Sequence, residues 1–171
     1  MNSIYHGRTP EANFPLVPRT TFGRAIVIGL GVGAIGGLGM TVTNKLEQLI
    51  TNRPNSYVPA STIAYHLGLQ GLREHHPIPL NHAHRFGMAI ITAPIRAMMS
   101  YYGVIGPFAS YLFSFVRIAA DEAVEISAGT STWPWIWPIN QQVIDVLHKG
   151  AYSVIVGFLC DKYIRGVSWF S

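Results

Sequence analysis

Charged residues and cysteine are scarce in this chain of 171 residues. Lys, Arg, Asp and Glu together make up 12% of the sequence, against about 25% in an average soluble domain. So few charges cannot cover a water-exposed surface well, which argues against an ordinary soluble protein. The single Cys160 excludes an internal disulfide and a Cys-x-x-Cys redox centre. The net charge of +4 is spread along the chain without a Lys/Arg run, so nucleic acid is not expected as a partner.

The most informative feature that is present is an uncharged, glycine-rich run over residues 25–43. Its glycines fit the Gly-x-Gly-x-x-Gly fingerprint of dinucleotide-binding folds. That fold also needs an acidic residue at the end of a second strand about 20 residues later, whereas the sequence here is typical of a helix continuing into water. The run is long enough to cross a bilayer, so we predict a membrane-spanning helix. Gly29, Gly33 and Gly37 would form a face that lets a neighbouring helix approach closely.

The chain is predicted to form one membrane domain after a short N-terminal segment. Residues 1–22 contain several prolines and glycines and no apolar core of a cleavable signal peptide. We therefore divide the chain into an N-terminal segment, residues 1–22, and a single domain, residues 23–171. In this interpretation the first helix is itself the uncleaved signal for membrane insertion.

Three further segments are predicted to be helices, over residues 84–102, 107–127 and 143–164. The short connection before residue 107 makes the second and third helices an antiparallel hairpin. Residues 59–74 are predicted to form a short amphipathic helix in the membrane interface, with loop over residues 69–71 and 75–79. The expected fold is all-α: a four-helix transmembrane bundle with a short amphipathic helix between helices one and two. The protein would be a multi-pass integral membrane protein.

Titratable residues from separate helices are predicted to meet at one end of this bundle. Arg117, Asp121 and Glu125 are spaced i, i+4, i+8 and therefore share one helix face. An up-down bundle with short connections brings this face beside the starts of the second and fourth helices, which also carry ionisable residues. Ionisable groups at membrane depth cost roughly 2.5–3.5 kcal/mol each on insertion scales unless they face a partner or water. Their convergence is the strongest functional indication in the sequence.

Candidate roles follow from the chemistry of these side chains. Carboxylic acids and histidine at a partly buried site are the groups that transfer protons in acid–base catalysis. The candidate catalytic residues are Asp121, Glu122, Glu125, Asp145 and His148. The candidate substrate-binding residues are His84, Arg85, Arg117, Trp133, Trp135, Trp137 and Lys149. The three tryptophans would either anchor the loop at headgroup depth or cover the site as an aromatic lid.

The sequence does not predict a metal site. Asp145 and His148 have the i, i+3 spacing of the carboxylate–histidine pairs in di-iron helix bundles. Those sites need a second such pair and further acids, and this sequence offers only one pair. We therefore expect neither a metal nor another cofactor.

One basic residue lies away from the other titratable groups. Arg96 falls in the middle of the second predicted helix, and no acidic residue is expected at its depth. Its long side chain should therefore reach towards the turn near residue 103, or meet an anionic headgroup or substrate.

Three classes of function remain open. The first, which we prefer, is an intramembrane acid–base enzyme (isomerase, cyclase or hydratase type) acting on a lipophilic small molecule. The second is a small transporter, but residues 25–39 and 150–160 are largely apolar, which counts against polar groups continuing across the bilayer. The third is a structural or assembly subunit whose polar residues only lock the bundle or are solvated helix ends. Expected partners are the lipid bilayer, a lipophilic small molecule, and a second copy of the chain through the Gly29, Gly33 and Gly37 face.

Two stretches, residues 53–60 (RPNSYVPA) and residues 134–152 (PWIWPINQQVIDVLHKGAY), carry a resemblance. They are similar to segments of uncharacterised small multi-span membrane proteins of fungi and actinomycetes. The resemblance extends over most of residues 53–161 and implies a membrane protein, without implying an activity. By analogy only, membrane sterol isomerases and fungal membrane terpene cyclases work with few acidic groups in such a bundle.

Overall fold

The uncharged run and the polar residues after it form a single helix, the longest in the chain. The computed structural model describes residues 17–169, and no strand occurs among them. Its helices are α1 (Phe22–Thr51), α2 (Val58–Leu67), α3 (Gln70–His75), α4 (Pro77–Tyr101), α5 (Gly106–Ser127) and α6 (Ile139–Cys160). A 3-10 turn (Pro134–Ile136) precedes α6, and a π-helical turn (Asp161–Arg165) extends it. The all-α class is therefore confirmed. Most of the predicted N-terminal segment, residues 1–16, lies outside the described residues.

The ends of α1 follow from local sequence. The hydroxyl of Thr21 accepts a hydrogen bond from the backbone N–H of Arg24 and caps the helix start. The helix ends at Asn52, whose φ of 53° lies in the left-handed region that asparagine tolerates. Its 30 residues correspond to about 45 Å, so it is longer than the hydrocarbon core of a bilayer. As predicted, the helix continues beyond residue 43 into polar sequence.

The connection between α1 and α4 differs from the prediction in three ways. The expected amphipathic helix is two helices, because Gly68 adopts a left-handed conformation (φ 69°) and ends α2. The loop predicted over residues 69–71 is present at Leu69 only, since α3 begins at Gln70. The predicted loop over residues 75–79 is wrong from Pro77 onwards, where α4 already begins. Pro77 and Pro79 are compatible with this start because a proline in the first turn removes an N–H that has no helical partner.

Glycine and alanine let α1 approach α4 closely. A Cβ added to Gly33 would lie 2.6 Å from the carbonyl oxygen of Ala89, and one added to Gly29 would lie 2.8 Å from Cα of Pro94. Such contacts are not tolerated by real side chains, so these positions require glycine. The small-residue face, expected also to join a second copy, is thus covered by a helix of the same chain. The oligomeric state itself stays a prediction.

The core of the bundle lies where α1, α4 and α6 meet. Its buried apolar side chains are small on α4 and larger on α5 and α6. They include Ala89, Ala93, Ala97, Phe113, Tyr152, Val156 and Ile164. On the outside, α1 exposes large apolar side chains such as Val27, Leu38 and Val42. Two helical segments, Phe22–Thr51 and Ile139–Arg165, are long and apolar enough to span a membrane.

A fully buried ion pair joins α4 to the end of α6. It shows that the expectation of no acid near Arg96 is wrong, whereas the expected reach towards the turn near residue 103 is confirmed, because Nη1 of Arg96 donates to the carbonyl of Val104. Nη2 of Arg96 lies 2.9 Å from Oδ2 of Asp161, and both side chains have 0% exposure. The Asp161 carboxylate also accepts hydrogen bonds from the hydroxyl of Ser100 at 2.6 Å and the backbone N–H of Gly106 at 2.8 Å. Arg96 donates further to Ser100 and Ser110. We call these residues, Arg96, Ser100, Ser110 and Asp161, the Arg96 cluster.

Candidate functional site

A cavity of about 570 Å³ opens at the end of the bundle opposite the Arg96 cluster. It lies between the later part of α1, the start of α4, the end of α5 and the start of α6, with the loops on either side of these helices as further walls. The walls include ten of the twelve candidate residues: His84, Arg85, Arg117, Asp121, Glu122, Glu125, Trp137, Asp145, His148 and Lys149. The predicted meeting of titratable side chains from separate helices is therefore present in the structure.

The α5 face turns its acids inwards because the residue spacing follows the helix period. Arg117, Asp121 and Glu122 are buried, with exposures of 1%, 7% and 5%. The alternative in which this segment is a solvated helix end is therefore contradicted for Asp121 and Glu122. Arg117 and Asp121 form the predicted i, i+4 ion pair within α5.

Lys149 of α6 forms ion pairs with three of the four carboxylates that line the cavity. Its Nζ lies 2.7 Å from Oδ2 of Asp145, 3.5 Å from Oδ2 of Asp121 and 3.6 Å from Oε1 of Glu122. The ammonium is therefore shared among carboxylates from two helices. Because Lys149 is itself buried, this shared ion pair also fixes α6 against α5.

An aromatic ring lies against Arg117 on the side of the apolar core. Its guanidinium carbon lies 5.3 Å from the ring centroid of Tyr152, a distance at which a cation is attracted to a ring face. The Tyr152 hydroxyl donates a hydrogen bond of 2.6 Å to the carbonyl of Ala89, which fixes the ring between α4 and α6. Arg117 thus lies between the apolar core and the floor of the cavity.

Two charged residues of the cavity are not committed to ion pairs. Arg85 and Glu125 both line the cavity, and neither forms an ion pair with any of residues 17–169. Both side chains are half-buried. An uncommitted acid and an uncommitted guanidinium at one cavity are available to a bound molecule, whereas the groups around Lys149 are already paired.

Three buried polar atoms at the cavity also lack hydrogen-bond partners among the described residues. They are Nε2 of His84, Nε of Arg117 and Oε2 of Glu122. A buried polar atom without a partner costs about 1–3 kcal/mol, so such atoms are expected where water or a ligand supplies the missing partner. Their grouping around one cavity indicates a binding site.

One wall of the cavity was not predicted. The side chain of Arg53 reaches back to α1, where its Nη2 lies 2.8 Å from Oε2 of Glu47 and donates to Oδ1 of Asn44 at 3.2 Å. His148 approaches the same carboxylate, with Nε2 3.9 Å from Oε2 of Glu47. Only the predicted continuation of α1 beyond residue 43 pointed to this wall, because it places Asn44 and Glu47 on successive turns of the helix.

The three tryptophans between α5 and α6 occupy two different environments. Trp137 lines the cavity, and its indole N–H donates to the carbonyl of Thr132 at 3.0 Å. Trp133 and Trp135 stack on one another with ring centroids 4.8 Å apart, and they are 52% and 72% exposed. Neither lines the cavity. Their assignment as substrate-binding residues is therefore corrected, and their exposed position fits an anchor at headgroup depth.

The short helix α2 closes the cavity on a further side. The hydroxyls of Thr62 and Thr130 share a hydrogen bond of 2.6 Å, and Nε2 of His66 lies 3.2 Å from the carbonyl oxygen of Val124. The side-chain oxygen of Asn81 accepts a hydrogen bond from the backbone N–H of Ala60. These contacts fasten α2 to both α4 and the end of α5.

The donor set does not form a metal centre. Within residues 17–169, no three His, Cys, Asp or Glu side chains converge in a way that could hold a metal ion. Oδ2 of Asp145 forms an ion pair with Lys149, and the acid nearest to His148 is Glu47. The arrangement suits proton transfer and hydrogen bonding to a bound molecule.

Comparison with known proteins supplies no family for this arrangement: no family model, curated protein or solved structure matches the chain.

Proposed function

We propose that the chain is a multi-pass membrane protein in which α1, α4, α5 and α6 cross the bilayer. Support comes from the two long apolar helices and from the exposed apolar side chains of α1. The other two long helices pack against these and bury polar groups between them, as expected where helices associate in lipid. The cavity would then lie near one face of the membrane.

We further propose that the cavity is the site of an acid–base enzyme acting on a lipophilic small molecule. One observation carries this proposal: Glu125 lines the cavity with no ion pair to any described residue, while the neighbouring acids are ion-paired with Lys149. A polar layer that served only as a lock would pair its charges and fill the space between them. Here a cavity of about 570 Å³, the size range of small-molecule sites, is left beside an uncommitted acid.

In this proposal Glu125 accepts a proton from one carbon of the substrate and returns it to another. Such an isomerisation is balanced in atoms and electrons and needs no co-reactant. Cyclisation or hydration of a double bond would use the same group as proton donor and acceptor. The ion pairs of Lys149 and Arg117 hold the remaining acids in place, and His148 can relay or orient a proton from the α6 side.

A second candidate, a small transporter, is favoured by one observation that the sequence did not suggest. Buried polar groups continue beyond the cavity, through Thr92, Ser114 and Ser153, to the Arg96 cluster at the far end. The expectation that polar residues stop halfway is therefore not met. However, the hydroxyl of Thr92 is bonded to Met88 and Tyr152, and the Arg96 cluster is closed and fully buried. We therefore prefer the enzyme.

The test is rescue of a gene deletion in the native host, followed by untargeted profiling of lipophilic metabolites. Glu125→Gln should fail to rescue and should accumulate the same compound as the deletion, since loss of a general acid–base group costs about 10²- to 10⁴-fold in rate. The matched control is Glu74→Gln, an exposed acid on α3, which should rescue fully. Both variants should stay in the membrane fraction after a carbonate wash.

Three results would contradict these proposals. Full rescue by Glu125→Gln at normal protein level would remove Glu125 from the chemistry. Unchanged metabolite profiles in the deletion itself would shift the assignment to a structural or assembly subunit. Release of the wild-type chain by carbonate would overturn the membrane assignment.

A further inference from the structure

The uncommitted groups of the cavity comprise nitrogen atoms from two helices and carboxylate oxygens from one. His84 and Arg85 are neighbours on α4, and Arg117 lies on α5, so the free nitrogen atoms come from these two helices. The free oxygen atoms belong to Glu122 and Glu125 at the end of α5. A bound molecule can therefore place an acceptor oxygen beside the nitrogens while a carbon–hydrogen bond faces a carboxylate.

Two of these nitrogen-bearing side chains are nearly inaccessible to water. Arg117 is 1% exposed and His84 is 7% exposed, yet Nε of Arg117 and Nε2 of His84 have no hydrogen-bond partner among the described residues. Arg85 contributes a guanidinium without an ion pair to any of residues 17–169. Preorganised donors in a water-poor site stabilise negative charge that develops on a substrate oxygen.

The charges at the cavity restrict what that oxygen can be before the reaction. Arg53 is paired with Glu47, Arg117 with Asp121, and Lys149 with acids of α5 and α6. Of the cavity-lining cations only Arg85 remains, and it faces the charge of Glu125 across the same cavity. These four cations stand against five carboxylates, the four that line the cavity and Glu47, so a permanently anionic ligand would add to an excess of negative charge. A neutral carbonyl would not.

From this arrangement we propose that the substrate is a lipophilic molecule with a neutral, enolisable carbonyl group. This inference rests on the proposed function and names its substrate class. Glu125 takes the proton from the carbon beside the carbonyl. The electron pair of the broken C–H bond forms the C=C bond of an enolate, and the carbonyl π pair moves to oxygen, next to Arg85 and the two buried nitrogens. Where the substrate also carries a β,γ carbon–carbon double bond, the enolate is a dienolate; the oxygen pair re-forms the C=O bond, the α,β double bond remains, and return of the proton to the γ-carbon gives the conjugated isomer and restores the carboxylate. The negative charge thus moves from the carboxylate of Glu125 to the substrate oxygen, where the nitrogen donors stabilise it.

The test measures binding of a naphthalene series to purified protein in lipid nanodiscs. The probes are 2-naphthol, which imitates an enol, 2-naphthoate, which is a permanent anion, and naphthalene, which has no oxygen. Fluorescence of Trp137 is the readout because this side chain lines the cavity, and Trp133 and Trp135 are replaced by phenylalanine in the reporter background. Trp169 is kept as a constant background, because its indole N–H donates to Asp161 of the Arg96 cluster at the other end of the bundle. We expect 2-naphthol to bind more tightly than both other probes.

Variants of Arg85 connect the preference to the proposed site. Arg85→Gln should weaken 2-naphthol binding about tenfold or more, the order expected for one charge-assisted hydrogen bond. Arg85→Lys keeps the positive charge but loses the planar pair of donors of the guanidinium. Its affinity for 2-naphthol should therefore lie between those of Arg85→Gln and the parent protein. The control Arg73→Gln, at an exposed arginine of α3, should leave all affinities unchanged.

Each failure has a separate meaning. Equal binding of naphthalene and 2-naphthol, tighter binding of 2-naphthoate, or unchanged 2-naphthol affinity in Arg85→Gln would overturn the carbonyl assignment. If Glu125→Gln also fails to rescue the gene deletion, the proposed function stands while this inference fails. If 2-naphthol binding depends on Arg85 but Glu125→Gln rescues fully, the site binds such molecules and the proposed catalysis fails.

Discussion

The two buried polar regions of this molecule use the same kinds of side chain in opposite ways. In the Arg96 cluster, one arginine and one aspartate with 0% exposure satisfy each other together with Ser100 and the backbone of Gly106. At the cavity, Lys149 is shared among three carboxylates, and Arg85 and Glu125 have no ion pair to a described residue. The ion pair of the Arg96 cluster is fully buried with its hydrogen bonds made, whereas the cavity leaves two charged side chains without an ion pair.

This difference separates a structural role from a binding role. A buried ion pair is kept when its geometry is good and its remaining hydrogen bonds are made, and then it fixes the relation of the two helices. Polar atoms left without partners destabilise the fold. They therefore tend to be found where a function requires them. The comparison can be tested through the unfolding free energies of single variants.

The largest effect is expected for Asp161→Ala, which leaves the charge of Arg96 buried without its partner. Breaking a buried pair from one side costs about 3–5 kcal/mol. The measurement is the free energy of unfolding in detergent, from denaturant titration. The double variant Arg96→Met, Asp161→Leu should regain at least half of the loss, because it removes both charges. A loss below about 1 kcal/mol for Asp161→Ala would contradict the role of this cluster as a lock.

A smaller loss is expected for Lys149→Met at the cavity. The substitution removes hydrogen bonds between charged groups, worth about 1.5–3 kcal/mol, but Arg117 still pairs with Asp121 and water can enter the cavity. The same unfolding titration measures it, with Lys162→Met, an exposed lysine, as the control. If Lys149→Met were as damaging as Asp161→Ala, the cavity would have to be regarded as a second lock.

The smallest effect is expected for Arg85→Gln. This side chain makes no ion pair with any described residue, so its replacement should change the unfolding free energy by about 0.5 kcal/mol or less. A slight stabilisation would fit the rule that functional groups are kept at the expense of stability. A loss above about 2 kcal/mol would place Arg85 among the structural residues and remove the contrast between the two regions.

Several elements could be predicted because their signals are local. The face of Arg117, Asp121 and Glu125 follows from the helix period, and α5 has nearly the predicted bounds. The meeting of this face with Asp145 and Lys149 follows from short connections between antiparallel helices. The early start of α4 at Pro77 was missed because a proline signals both a loop and a first helical turn.

Other parts could not be predicted because they depend on residues far apart in the sequence. Arg96 and Asp161 are 65 positions apart, and no acidic residue was expected at the depth of Arg96. The π-helical turn after α6 keeps the chain against the bundle, with Asp161 turned inwards. The cavity wall formed by Arg53 likewise depends on how the loop after α1 folds back, because Arg53 is held there by its ion pair with Glu47.

By itself, the sequence determined the helical class, the positions of the long helices and the glycine face, because apolar period, capping and side-chain size act over a few residues. Only the tertiary structure decided which helix covers that face, which acids share Lys149, and which charges stay without partners. Those outcomes depend on the distances between side chains of different helices, and these distances are set when the whole bundle packs.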